Sequence, residues 1–269
     1  MAFRGLALHT WTLDTTPLAD ALRAARAAGW DAIELRRLDF MRAAEAGRSA
    51  DDVIADVKAS GLAVACVGAE FGWMFAEGDE RKRLLRVFDE QCRHAARLGC
   101  ATVMSPSDRG RGPLERAAAS IREVGDVAAA HGITLAIEYN SQAEQFNRLD
   151  VMREALAKAG HPRSRLLLDT YHLLRSGGSV RDVEDVRPDE ISYVQYSDVP
   201  ASGLVPGKAL DRLPPGRGVV PFREVFAAIA ARGYGGFISY EAPNPAAWSR
   251  DPTEVAREAL EATRPLLPR

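Results

Sequence analysis

Residues 165–173 read RLLLDTYHL. Three leucines in a row leave no polar face, which is how a strand reads when both of its sides are covered, as in a parallel sheet. The run then meets Asp169. An ionised carboxylate in a dry place is costly unless something positive faces it. Working outward in both directions, the same form returns. GLALHT (5–10), DAIELR (31–36), LAVACVG (62–68), CATVMS (100–105), ITLAIEY (133–139), ISYVQYS (191–197) and GFISYE (236–241) are short, apolar and bounded by turn residues. Together with 165–170 they make eight expected strands.

Helical patterns lie between them. Leu84, Phe88, Cys92 and Ala95 recur at helix spacing, as do Leu114, Ile121, Val124 and Ala128, and Phe222, Phe226 and Ile229. Thr16-Pro17, Gly112-Pro113 and Val220-Pro221 mark helix starts, because proline is tolerated in a first turn. Gly29, Gly61, Gly99, Gly132 and Gly233 mark helix ends, where a left-handed residue closes the last turn. The repeated unit predicts a (β/α)8 TIM barrel, with an open doubly wound sheet as the runner-up. No Pro/Ser-rich linker breaks the chain, so residues 1–269 are expected to form a single domain. The sixth unit leaves room for only a short helix at 180–186. The longest stretch without a pattern is 198–219, the length of a lid or binding loop.

The chain has 269 residues, 46% apolar and 27% charged, with a net charge of −2. That balance does not suit a protein that binds nucleic acid through phosphate electrostatics. A single RGRG at 109–112 is too little to alter this. Cys66, Cys92 and Cys100 are odd in number and form no CxxC pair, so neither a disulfide scaffold nor structural zinc is expected. The N-terminus lacks a signal-like apolar stretch, and no run reaches the ~20 apolar residues of a membrane span. A cytoplasmic protein with no membrane partner is expected. Trp73, Phe75 and Trp248 are read as surface apolar residues that could line a homo-oligomer seam.

In such a barrel, reactive groups gather where the strands end. Those ends offer His9, Glu34, Glu70, Glu138, Asp169, Gln195 and Glu241. Glu138, Asp169, Gln195 and Glu241 finish the last four strands. Three carboxylates and an amide brought together would repel unless protonated or joined by a cation. One divalent ion satisfies all of them. Oxygen donors favour magnesium or manganese, with zinc or cobalt also compatible. Taken one at a time, an acid at a strand end is more often a helix cap or salt-bridge partner, and it is the set of four on consecutive strands that points to a metal. Glu34 either faces a substrate or pairs with Arg36 or Arg37. Trp11 either packs or walls a pocket beside His9. His94, His131 and His161 read as structural or solvent-facing.

At this point the chain resembles a known family. LAIEYN around Glu138, LLLDTYHL with Asp169 and His172, YVQYSDVP with Gln195 and Asp198, DRLPPGRG with Arg212 and GYGGFISYEA with Glu241 are similar, in that order, to the sugar phosphate isomerase/epimerase superfamily. These are the xylose-isomerase-like barrels, which also include endonuclease-IV-type enzymes. GWDAIEL (29–35) is similar to the family's second strand. The resemblance implies that Glu138, Asp169, Gln195 and Glu241 bind the metal, and that His172 and Arg212 touch substrate. Glutamine in the third ligand position, where histidine is common, is similar to the hydroxypyruvate isomerase and dehydroshikimate dehydratase branches. The insertion before Arg212 resembles the dehydratase branch.

The chemistry expected is proton abstraction next to a carbonyl, giving an enolate. Glu138 and Glu241 act as the acid-base pair, and His172, Arg212, His9 and Trp11 contact the substrate. Returning the proton makes an isomerase or epimerase of a small keto-sugar or hydroxy-keto acid. Loss of a β-hydroxyl from the same enolate makes a dehydratase of a ketocyclitol or dehydroshikimate-like polyol. A DNA-repair nuclease of this fold would need more histidines near the mouth than His9 and His172. A non-catalytic sugar-binding barrel is the remaining alternative.

Overall fold

The apolar runs fold as β1 (Gly5–His9), β2 (Ala32–Arg36), β3 (Ala63–Gly68), β4 (Thr102–Pro106), β5 (Thr134–Glu138), β6 (Ser164–Asp169), β7 (Ile191–Tyr196) and β8 (Phe237–Tyr240). They pair in chain order, all parallel, and β8 returns to β1 to close an eight-stranded barrel. This computed structural model describes residues 2–203 and 209–268.

Helices α1 (Leu18–Ala28), α2 (Arg37–Glu45), α3 (Ala50–Ser60), α4 (Gly78–Arg97), α5 (Leu114–Ala130) and α6 (Leu149–Ala159) follow the first five strands, two of them after β2. Two short helices, α7 (Thr170–Arg175) and α8 (Val180–Glu184), make up the sixth unit. Then come α9 (Phe222–Ala231), α10 (Pro245–Trp248) and α11 (Pro252–Thr263). Pro17, Pro113 and Pro221 sit at the caps of α1, α5 and α9, one residue before the first helical position. Gly29 and Gly61 close α1 and α3 with φ of 92° and 71°, a backbone region that costs glycine nothing.

Strand alternation divides the core in two. Leu6, Leu8, Ile137, Leu166, Leu168 and Val194 face outward into the layer shared with the helices. Each such side chain contributes about 1.5–3 kcal/mol by leaving water. Ala7, Ala32, Met104, Ala136, Leu167 and Tyr193 belong to a second, inner cluster. Two positions further along five of these strands stand His9, Glu34, Glu138, Asp169 and Gln195, and the period of two places them on the same inner side. The polar groups therefore sit directly above an apolar floor.

Three expectations need correction. Trp73 is not a surface residue: it is 1% exposed, and its indole donates to Ser105 Oγ at 2.8 Å. Phe75 is half-buried against Phe146, and Trp248 is half-buried with its indole on the Trp11 carbonyl, so neither offers an open seam. Glu34 pairs with neither Arg36 nor Arg37. Arg36 goes to Asp14 and Asp39, and Arg37 to Glu70. Within 198–219, residues 204–208 lie outside the described residues. The rest carries one antiparallel bridge, Asp198 to Leu213. No described helix is long and apolar enough to cross a membrane. The cysteines are free and buried.

Candidate active site

Asp169 ends β6 with no exposed surface. One of its oxygens caps α7, accepting the Tyr171 N–H at 2.6 Å and the His172 N–H at 3.4 Å. The other is met by Arg212, whose Nη1 donates to Asp169 Oδ2 at 2.7 Å and to Glu241 Oε2 at 2.9 Å. The positive group facing Asp169 in this structure is thus a guanidinium. Arg212 is 2% exposed and lies over the Tyr171 ring, 4.4 Å from its centroid. Although it lies in a loop, Arg212 is a buried residue of the site.

Glu138, Asp169 and His172 form a buried group in which one ligand atom from each lies within 4.8 Å of the others. His172 Nε2 is 3.7 Å from Glu138 Oε1 and 3.2 Å from Arg212 Nη2, while its Nδ1 lies 2.8 Å from Ser141 Oγ. Burial, the largest influence, pushes the His172 imidazolium down to about 3, so the ring is neutral near pH 7. His9 is 3% exposed. Its Nδ1 accepts the Trp11 N–H at 2.9 Å, which leaves the proton on Nε2, 3.3 Å from Glu241 Oε1. Burial also holds His9 well below its usual range.

The carboxyls respond to crowding. Burial, then Glu241 and Asp169, push Glu138 well above the ordinary range. Burial raises Glu241 to about 7, against the opposing pull of Arg212. Burial alone would raise Asp169, but Arg212, His172 and the Tyr171 N–H hold it below its usual value. Arg212 bridges two of the three carboxyls; with all three ionised, two negative charges would remain, and the raised values of Glu138 and Glu241 show the fold relieving them with protons.

That remainder equals the charge of one divalent ion. Glu138 Oε1 and Gln195 Oε1 are both buried without a hydrogen-bond partner among the described residues. Hard oxygen donors, a charge deficit of two and orphaned oxygens fit a divalent metal. The site opens into a cavity of about 980 Å³. His9, Trp11, Glu138, His172, Arg212 and Glu241 line it. Asp169 and Gln195 are fully buried beneath. Glu70 lies at the rim in ion pairs with Arg37 and Arg83. His94 stacks on Phe40, while His131 and His161 pair with Asp89 and Asp126, all away from the cavity.

Two contributors carry no plain sequence signal. Ser141 follows β5 and touches His172. Tyr171 carries Arg212 on its ring. Both neighbour residues that were singled out, yet their roles depend on contacts the chain makes only after closing the barrel.

A closed barrel with an acidic, inward-facing cluster at the strand ends defines a class, and the profile of the xylose isomerase-like TIM barrel family matches residues 22–266. The chain belongs to that family. A 3-dehydroshikimate dehydratase of Pseudomonas putida is 26% identical over 232 residues, 83% of this chain and 36% of that protein. This chain thus spans about a third of the length of the dehydratases it matches. A Streptomyces coelicolor protein provisionally named hydroxypyruvate isomerase is 24% identical over 258 residues, 84% of this chain and 85% of its own. Among solved structures, an IolI protein with a bound zinc atom superposes with a TM-score of 0.87 at 18% identity, covering 98% of each chain.

Proposed function

We propose that this chain is a divalent-metal-dependent isomerase or epimerase of a small keto-sugar or hydroxy-keto acid. Residues 1–269 would act as one barrel unit. The observation that carries the reading is the buried trio of Glu138, Asp169 and Glu241, two of which share the Arg212 guanidinium, with Glu138 Oε1 lacking a hydrogen-bond partner among the described residues. Glu138, Asp169, Gln195 and Glu241 would hold the ion. Manganese or magnesium suits this oxygen set best, and the zinc of the IolI structure keeps zinc in view. When bound, the ion would draw electron density from a substrate carbonyl and so favour an enolate.

The chain's own groups handle the protons. Without the ion, burial raises Glu241 to about 7; with it bound, the ionised, proton-accepting form would be favoured. One of Glu138 and Glu241 takes the proton from the carbon beside the carbonyl. The other returns one, to the opposite face of that carbon or to its neighbour. His9 holds its Nε2 proton toward Glu241 and so restrains that carboxylate. Arg212 fixes Asp169 and Glu241 relative to each other and, with His172 and Trp11, is placed to receive substrate oxygens.

The dehydratases that match four-fifths of this chain support a second reading, a lyase of a ketocyclitol or dehydroshikimate-like substrate. Incubating the manganese-loaded protein with both substrate classes separates the two. An isomer of unchanged mass supports the first. Loss of water with a new ultraviolet absorbance supports the second. With the substrate found, Glu241→Gln is expected to lower kcat by about 10²–10⁴-fold. Unchanged turnover would remove Glu241 from the acid-base role.

A further inference from the structure

Glu34 takes no part in those proton transfers, yet it is fully buried inside the barrel on β2. It reaches across the interior to β7. Its Oε1 accepts Gln195 Nε2 at 2.9 Å, and its Oε2 accepts the Tyr193 hydroxyl at 3.0 Å. In the structure the amide nitrogen donates to Glu34, and an ionised Glu34, which can only accept, enforces that orientation. The other end of the same amide, Gln195 Oε1, is buried and has no hydrogen-bond partner among the described residues. An amide left to itself could present either end, and only the oxygen can ligate a hard cation.

We propose that Glu34 is a positioning residue that locks the Gln195 amide by its nitrogen, committing the carbonyl oxygen as the neutral ligand of the divalent ion. This rests on the metal reading above. Glutamine then supplies a donor without adding a further negative charge to three crowded carboxylates. The device is a pair: glutamine works at position 195 because an acceptor stands at position 34. Tyr193, two residues before Gln195 on the same strand, holds the far oxygen of Glu34 and stops the carboxyl from turning away.

Titrating the metal-free protein with MnCl2, followed by the electron paramagnetic resonance of free Mn²⁺, tests this without any substrate. Glu34→Ala is expected to weaken Mn²⁺ binding by about 10–100-fold, the usual cost of losing a partner behind a ligand. Gln195→Ala should cost a similar factor. Adding Glu34→Ala to Gln195→Ala should then cost less than about threefold more, because the hydrogen bond between Glu34 and the ligand set runs through that amide, with His9 Nε2 further off at 3.7 Å. The exchanged pair, Glu34→Gln with Gln195→Glu, keeps the bond with donor and acceptor reversed. It covers the case in which Glu34→Ala does not fold, and it should bind Mn²⁺ within about tenfold of wild type. Wild-type affinity in Glu34→Ala, independent losses in the double variant or a larger loss in the exchanged pair would each overturn the role of Glu34 alone. A wild-type protein that takes up no Mn²⁺ would overturn the metal reading as well.

Discussion

Removing the guanidinium of Arg212 would leave Asp169 and Glu241 buried without the cation they share. Breaking a buried pair from one side costs about 3–5 kcal/mol. Arg212→Met, which keeps much of the packing on Tyr171, is therefore expected to lower the Tm of the metal-free protein markedly. Saturating Mn²⁺ should return part of that loss, since a dication relieves the same carboxylates. Thermal unfolding with and without MnCl2 measures both. At this scale the sequence was half legible. Glu138, Asp169 and Gln195 stand out because each breaks an apolar run at its end. Their partners do not. Arg212 lies 43 residues from Asp169, and Glu34 lies 161 from Gln195. Contacts at such separations exist only once the barrel has closed, and the same absence of local signal hid the burial of Trp73.

The segment after β7 carries Arg212 and is knotted at Asp198. Asp198 accepts the N–H groups of Val199 at 2.9 Å, Gly218 at 2.7 Å and Val220 at 2.9 Å, and its backbone pairs with Leu213. Both ends of the loop thus meet at one carboxylate, and Asn244 Nδ2 ties the Arg212 carbonyl to the end of β8. Gly218 sits hard against this knot. A Cβ there would run into the Val199 carbonyl oxygen and come within 2.6 Å of Asp198 Oδ1, so the backbone would have to shift. Overpacking of this kind costs about 1–3 kcal/mol. Gly218→Ala is expected to lower the unfolding free energy by that amount, seen as a lower urea midpoint, and to weaken substrate turnover, because Arg212 moves with the loop. An unchanged midpoint would show that the segment is not held as described. Strands and helices were legible from spacing alone, and the short sixth unit was too. The loop was legible only as a gap, since it is held by buried backbone donors on one aspartate and not by any repeat.

Across the whole molecule, the buried acids and histidines set opposing trends with pH. Burial raises Glu34 from 4.5 to about 8 and Glu241 from 4.5 to about 7. Groups raised in the fold bind protons more tightly there than in the unfolded chain. Their stabilising effect is complete below about pH 4.5 and is lost as pH climbs through 7 and 8. Burial lowers His9 and His172, so these act the other way, but above their ordinary value of 6.5 both are neutral folded or unfolded. Between about pH 6.5 and 8 the two glutamates dominate among these four groups. The metal-free protein is expected to lose Tm across that window. The manganese-loaded protein should gain relative to it, because the ion requires the deprotonated carboxylates.

The charge deficit at the barrel mouth is most directly read by calorimetric titration of the metal-free protein with MnCl2 at pH 6 and pH 8. Saturable binding of one ion per chain is predicted, tighter at pH 8, with protons released into the buffer at pH 6. Absence of saturable binding at both values would contradict it.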